Sequence, residues 1–489
     1  MKQVTYKYIL GLVLICFVFG SCKKYEDFQT NPNLPSSATP ALLLTAISYS
    51  VFYFDNTTPS FADRHLTYYE RGNSAVDYSW TAGNFDNYSF DNFNVLRQVM
   101  QMDSLAVQSG QQQYLGLTKF FRALLFSQMT EVFGDIPYSQ ALGAVAGNFK
   151  PGYDNQASIY KGLLQELEEA NNLLDDAKGK INGDIIYGGV ASQWKKLVNA
   201  FRLRLLIHLS KKESDTNLSI KTQFQDIISQ PGKYPLFTSN ADNAQLVFNS
   251  SAPDNYYPDF GYLSLATAVS IEKGFVKILK DRSDPRLFAM AEPISGSPAD
   301  VFTSYEGVDA GLTVSGQQTA SANASRIKAR YYNDKINEPW LLMSYAEQEF
   351  LIAEAISRNW ITAGGTAKEH YENGVSATMS FFGFDGTDVT TYLAQPNVVF
   401  SPANALSQIA IQKYIAMFMN SGWEAFMEQR RTGTPVLSVG PGTYNNGLVP
   451  KRWLYPQSEY DYNTTNLETA VQSQYGGADD VNKVMWILQ

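Results

Sequence analysis

A mainly α-helical body joined by long, aromatic-bearing loops is the fold class this sequence predicts, on three observations. Apolar residues recur at i, i+3, i+4 spacing through most of the chain, which is the signature of helices with one buried face. Glycine and proline separate these stretches by short connections, as at 134–137 and 364–365, so neighbouring helices pair. Three stretches, 68–94, 249–262 and 295–325, break the periodicity. The first two hold aromatics among Asn, Asp, Ser and Gly, and the third is rich in Gly, Ser, Ala and Thr.

The elements follow in order. Lys2 and Lys7 precede an apolar run, Ile9 to Phe19, then Gly20, Ser21 and Cys22. This is the layout of a secretory signal over residues 1–21. The run has about half of the roughly 20 residues a membrane-spanning helix needs. A cysteine at the first mature position is what a lipoprotein requires, so Cys22 is the expected lipidation site. One acyl chain binds a bilayer only marginally, so multiple acylation, with palmitate as one such chain, is expected. Residues 22–43, with Pro32, Pro35 and Pro40, read as a tether, and 44–489 as one domain with a loop-rich region around 230–340.

Within that domain, Leu117, Phe120, Phe121, Leu124, Leu125 and Val132 predict one helix. Ile159, Leu163, Leu167, Ala170, Leu174 and Ala177 predict a second, capped near Asp154. Residues 191–211 predict a third, with Trp194, Leu197, Phe201 and Leu205 inward. Ser344 with Glu347, and Thr366 with Glu369, have capping-box spacing before two further helices. Residues 402–420 and 422–431 predict two more. No clean 34-residue period accompanies these pairs, so they read as degenerate helix–turn–helix repeats.

Composition narrows the chemistry. The 489 residues include 2 Cys, and Cys16 lies inside the signal. The mature chain then carries one thiol, taken by lipid, which excludes disulfides, zinc clusters and thiol catalysis on supply. Removing Lys2 and Lys7 with the signal takes the net charge from −9 to −11, and no basic run offsets it. Nucleic acid is therefore not an expected partner. No segment after the signal is long and apolar enough to predict a membrane span.

The three histidines, His65, His208 and His370, have no metal-ligand spacing and read as packed residues. Nucleophile-elbow and phosphate-cradling patterns do not occur. Acids such as Glu166, Glu168 and Glu169 read as solvated helix faces, and Asp154 and Asp184 as turn or cap residues. No catalytic residue, metal site or cofactor is predicted, although a surface glycosidase built on a carboxylate pair is the alternative from another class.

The loop aromatics carry the functional signal. A sugar ring has an apolar C–H face that a flat aromatic ring matches, and a hydroxyl rim that polar side chains match. Tyr69, Arg71, Asn73, Tyr78 and Trp80 offer both, and so do Tyr256, Tyr257 and Tyr262 in the second loop. Loops lie on the surface, so these eight residues are the candidate ligand contacts. A peptide or glycopeptide would use much the same surface.

Four motifs in order resemble the SusD/RagB family of bacterial surface lipoproteins, in its SusD-like branch. They are Thr130-Glu131-Val132-Phe133-Gly134-Asp135-Ile136-Pro137-Tyr138, then Tyr153-Asp154 with Gln156 and Ile159-Tyr160. Gly183-Asp184 through Trp194 to Arg204 follows, and Arg452, Tyr455-Pro456, Glu459 and Asn463 close the set. The resemblance implies a SusD-like helical body with tetratricopeptide-like helix pairs. It implies a lipid-anchored position on the outer membrane facing the exterior. It also implies a SusC-like TonB-dependent transporter as partner, and capture of an oligosaccharide for delivery to it, with no covalent step.

Overall fold

The computed structural model describes residues 38–68, 80 and 89–489. Its first helix, α1 (Pro40–Phe52), begins where Thr39 accepts the Leu42 N–H on its hydroxyl at 3.3 Å and Pro40 opens the first turn. Residues 40–43, expected in the tether, are therefore part of the helical body.

Helices α2 (Asn92–Ser109), α3 (Gln112–Phe133), α4 (Gln156–Leu173) and α5 (Ala191–His208) follow. Each packs on the next, and α1 packs on α2. Gly110 takes a left-handed turn at φ 69° between α2 and α3, a conformation that costs a residue without a Cβ least. The cap of α4 is Asn155, whose side chain accepts the Ser158 N–H at 2.9 Å. Asp154, the expected cap, instead accepts the backbone N–H groups of Tyr138 and Ser139, at 3.1 and 2.8 Å. It fastens the incoming loop rather than the helix.

After α6 (Ile220–Ser229) the chain enters its loop-rich part, which contains α7 (Lys273–Lys280) and three of four short strands. Strand β1 (Leu66–Tyr68) pairs antiparallel with β3 (Val269–Ile271), with Leu66 opposite Ile271. Strand β2 (Ala244–Leu246) pairs antiparallel with β4 (Trp340–Met343), with Leu246 opposite Trp340.

The second helical group is α8 (Tyr345–Ser357), α9 (Ala367–Phe381), α10 (Ala405–Ala416) and α11 (Glu424–Thr432). A last helix, α12 (Thr464–Tyr475), closes the chain. Thr366 and Glu369 form the full reciprocal capping box expected for α9. At α8 only half of the box forms. Ser344 accepts the Glu347 N–H at 3.1 Å, but the Glu347 carboxylate turns to the Arg204 guanidinium, with both contacts at 2.6 Å. That ion pair joins α8 to α5, and so the second helical group to the first.

A single large apolar core runs through both groups. At its centre Trp194 is fully buried against Phe120 and Phe121, with ring centroids 5.8 and 5.7 Å away. A satellite core, including Phe350, Val375 and Ile409, lies among α8, α9 and α10.

The motif at 130–138 is a structural clasp. Gly134 ends α3 at φ 90°, and a Cβ there would collide with Gln474 and Tyr475 of α12. Gln474 accepts the Asp135 N–H at 2.7 Å, and Tyr475 donates to the Phe133 carbonyl at 2.9 Å. Tyr455 donates to the Asp135 carbonyl at 2.7 Å, and the Trp453 N–H reaches the Val132 carbonyl at 2.7 Å. The C-terminal segment is thereby held to a turn more than 300 residues earlier.

Candidate functional site

On α1, Tyr49 and Tyr53 stand four residues apart, so they lie on one face. Their rings stack at 4.9 Å with an interplanar angle of 16°, and both are about 40% exposed. Opposite them the 249–262 loop presents Tyr256 and Phe260, edge to face at 5.6 Å. The Lys335 ammonium lies over both of these rings, 4.8 and 5.5 Å from their centroids. Asp254, Tyr257 and Pro258 complete a cleft of about 250 Å³.

The loop is held by its own polar groups. The Asn249 N–H donates to the Asn255 carbonyl at 2.8 Å, and the Ser251 N–H to the Asn249 side chain at 3.0 Å. The Tyr257 N–H donates to the Lys335 carbonyl at 2.7 Å, which sets the loop against the segment before β4. Below, Tyr257 is 1% exposed and packs edge-on against Phe248 and Trp340. Tyr53 leans on the same Trp340 ring at 5.4 Å, so the first wall and the floor share one indole.

Carboxylates edge the aromatic walls. Asp254 is exposed at the rim. Asp259 accepts the Thr57 hydroxyl at 3.5 Å, while Asp55 accepts the Thr57 N–H at 2.8 Å. Burial, and then the nearby Asp55 charge, push the Asp259 carboxyl up to about 7. The site therefore offers flat apolar faces with acceptors and one ammonium beside them, a composition suited to a ring with an apolar face and a polar edge.

The expected contacts are distributed unevenly. Tyr256 forms part of a cleft wall, and Tyr257 is its buried floor. Tyr262 is 47% exposed but does not line the cleft. Trp80 is 2% exposed, its indole N–H donates to the Ala62 carbonyl at 3.0 Å, and Arg64 lies 4.2 Å over its ring. It is a core residue, so the expectation that it meets ligand at the surface is corrected. Cys22, Tyr69, Arg71, Asn73 and Tyr78 lie outside the described residues. The sequence reading missed Tyr49, Tyr53, Phe260 and Lys335. The tyrosine pair at i, i+4 was the available signal.

The histidines are packed, and two are also ion-paired. His208 bridges α3 and α11, with Nδ1 2.7 Å from Glu131 and Nε2 2.8 Å from Glu424 and 3.4 Å from Glu428. His208, Glu424 and Glu428 have the spacing of a metal site. Lys413 already lies 3.0 Å from Glu428, and Arg431 spans Glu428 and Glu354 at 2.7 Å each. The trio is thus part of a buried ion-pair network in which Lys413 and Arg431 already pair with Glu428. Glu166, expected on a solvated face, is buried and bonded to Arg122 and Tyr138, at 3.2 and 3.1 Å.

Residues 32–456 match a SusD-like family described as starch-binding and associating with the outer membrane. A SusD homologue from Bacteroides fragilis is 36% identical, with a TM-score of 0.83 over 93% of this chain and 100% of that one. A second from the same species is 30% identical, with a TM-score of 0.85 over 92% and 100%. A chitin-binding protein is 25% identical, with a TM-score of 0.73 over 92% and 100%. No curated protein matches the chain.

Proposed function

The chain belongs to the SusD-like family, and on that premise we propose that it is a glycan-binding, outer-membrane nutrient-uptake lipoprotein whose ligand occupies the Tyr49–Tyr53–Tyr256–Phe260 cleft. Cys22 anchors it, and a SusC-like TonB-dependent transporter receives the oligosaccharide it captures. The reaction is binding and release, with no bond made or broken. Among the described residues no helix is long and apolar enough to cross a membrane, which fits attachment through lipid.

The observation that carries this reading is the exposed, stacked tyrosine pair facing a second aromatic wall across a polar-edged cleft. A contiguous exposed apolar surface, rather than a scattered ring, marks a recognition site. The starch- and chitin-binding descriptions of the matching family and of one similar structure supply the ligand class.

A glycan array followed by calorimetry on the mature chain tests it. Tyr49→Ala/Tyr53→Ala and Phe260→Ala should each weaken the best glycan by tenfold or more. Aromatic anchors typically carry about 2 kcal/mol or more at such sites. A glycan bound equally well by all three proteins would place recognition elsewhere, and hydrolysis of that glycan would restore the enzyme reading.

A further inference from the structure

A second cavity lies directly behind the cleft. Tyr53 faces the cleft, and the next two residues, Phe54 and Asp55, line the cavity. Its volume is about 480 Å³, within the range of roughly 300–1,000 Å³ typical of small-molecule sites. Phe54, Met129, Phe133 and Trp423 give it apolar walls.

Neutral polar residues, Ser50, Asn92, Gln128 and Ser421 among them, line it too, together with four charged ones. Among the described lining residues, the carboxylates of Asp55, Glu131 and Glu424 accompany one cation, Arg204. Glu131 is 8% exposed. Its Oε1 accepts from Tyr160 and pairs with His208, both at 2.7 Å, and its Oε2 has no partner among the described residues. Glu424 gives Oε1 to His208, while its Oε2 is 3.7 Å from Arg204 Nε. Arg204 commits Nε and Nη2 to Glu347 and the Leu342 carbonyl, and Nη1 makes no hydrogen bond among the described residues.

The floor thus holds carboxylate oxygens, which only accept, beside a guanidinium nitrogen, which only donates. A buried charged atom gains most from a charged partner, because charge-assisted bonds are about twice as strong as neutral ones. The geometry points to a second binding site, separate from the aromatic cleft, that takes a small molecule bearing a primary ammonium next to an acceptor oxygen. The ammonium meets Glu131 and Glu424, the acceptor meets Arg204 Nη1, and the apolar remainder lies against Phe54, Phe133 and Trp423. Amino sugars and free amino acids both carry this chemistry.

Calorimetry on the mature chain with glucosamine, leucine and their N-acetyl derivatives tests it. The expected result is that an amine-bearing probe binds at least tenfold more tightly than its N-acetyl derivative. Binding by glucosamine alone would assign an amino sugar, and binding by leucine alone an amino acid. Gln128→Trp, at an exposed lining position, should abolish binding. Tyr49→Ala/Tyr53→Ala should leave it unchanged. Glu131→Gln should weaken it as well, with circular dichroism reporting whether that variant folds. No binding by either amine, equal binding by the N-acetyl forms, or insensitivity to Gln128→Trp would overturn the proposal. Loss in the tyrosine variant would move the ligand to the cleft and overturn it too.

Discussion

Replacing His208 by glutamine should destabilise the protein most at low pH, and the penalty should shrink as pH rises. The imidazole sits between Glu131 on α3 and Glu424 and Glu428 on α11, within 3.4 Å of all three. Burial opposes the imidazolium, but the Glu131 and Glu424 carboxylates outweigh it and hold the pKa well above 6.5. Glutamine removes the charge and leaves Glu131 and Glu424 short of their imidazolium partner, while Glu428 keeps Lys413 and Arg431. Breaking a buried pair from one side costs about 3–5 kcal/mol. The folded pKa exceeds the unfolded one, so the stabilisation is complete below 6.5 and is lost as pH rises through the folded value. The loss proceeds at up to about 1.4 kcal/mol per pH unit. Urea unfolding of both proteins at fixed ionic strength from pH 6 to 9 measures the difference. Burial lowers the His65 pKa to about 3, and burial raises Asp135 and Asp259 to about 7, but these groups are common to both proteins and cancel. Parallel stability curves would show that His208 is uncharged in the fold, and the network reasoning would fail.

Three further outcomes follow from the packing. Gly134→Ala should lower the urea midpoint clearly, because φ 90° disfavours a side chain and the new methyl meets Gln474 and Tyr475. Trp80→Ala should cost about 3–5 kcal/mol in urea unfolding and leave glycan affinity per folded molecule unchanged, because the ring is core. Thr366→Ala should remove about 1 kcal/mol through loss of the α9 capping box, read by the same unfolding assay.

The helical part of the fold was largely legible, because a buried face imposes a period that any reader of the chain can count. Phe120, Phe121, Trp194 and Phe201 meet in the core as their spacing requires. Boundaries were less legible where a polar side chain had two uses. Asp154 and Glu347 have capping chemistry, but one fastens a neighbouring turn and the other a guanidinium on α5. The start of α1 was obscured because Pro40, a helix opener, also reads as a tether proline. The aromatic cleft was half legible. Tyr256 lies in a stretch whose composition marks it as loop, whereas Tyr49 and Tyr53 occupy an otherwise ordinary helix. What makes them one side of a cleft is the Tyr256–Phe260 wall across from them, some 200 residues later, and no local pattern records that.

The scaffold and the cleft differ in how many partners a residue must satisfy. Gln474 alone holds the Asp135 N–H and the Tyr455 hydroxyl, and it also fills the space where a Gly134 side chain would go. A change at 134, 135, 455 or 474 therefore leaves buried polar atoms unpaired, at about 1–3 kcal/mol each. Tyr49 and Tyr53 pack mainly on each other and on one face of Trp340, and truncating them uncovers surface without orphaning a backbone group. Substitution in the cleft should thus alter which ligand is held at little cost in folding, while substitution in the clasp unfolds the platform beneath it. The motif at 130–138 and that from Arg452 to Asn463 meet in or beside the clasp, the motif at 183–204 runs into α5, and none of them lines the cleft.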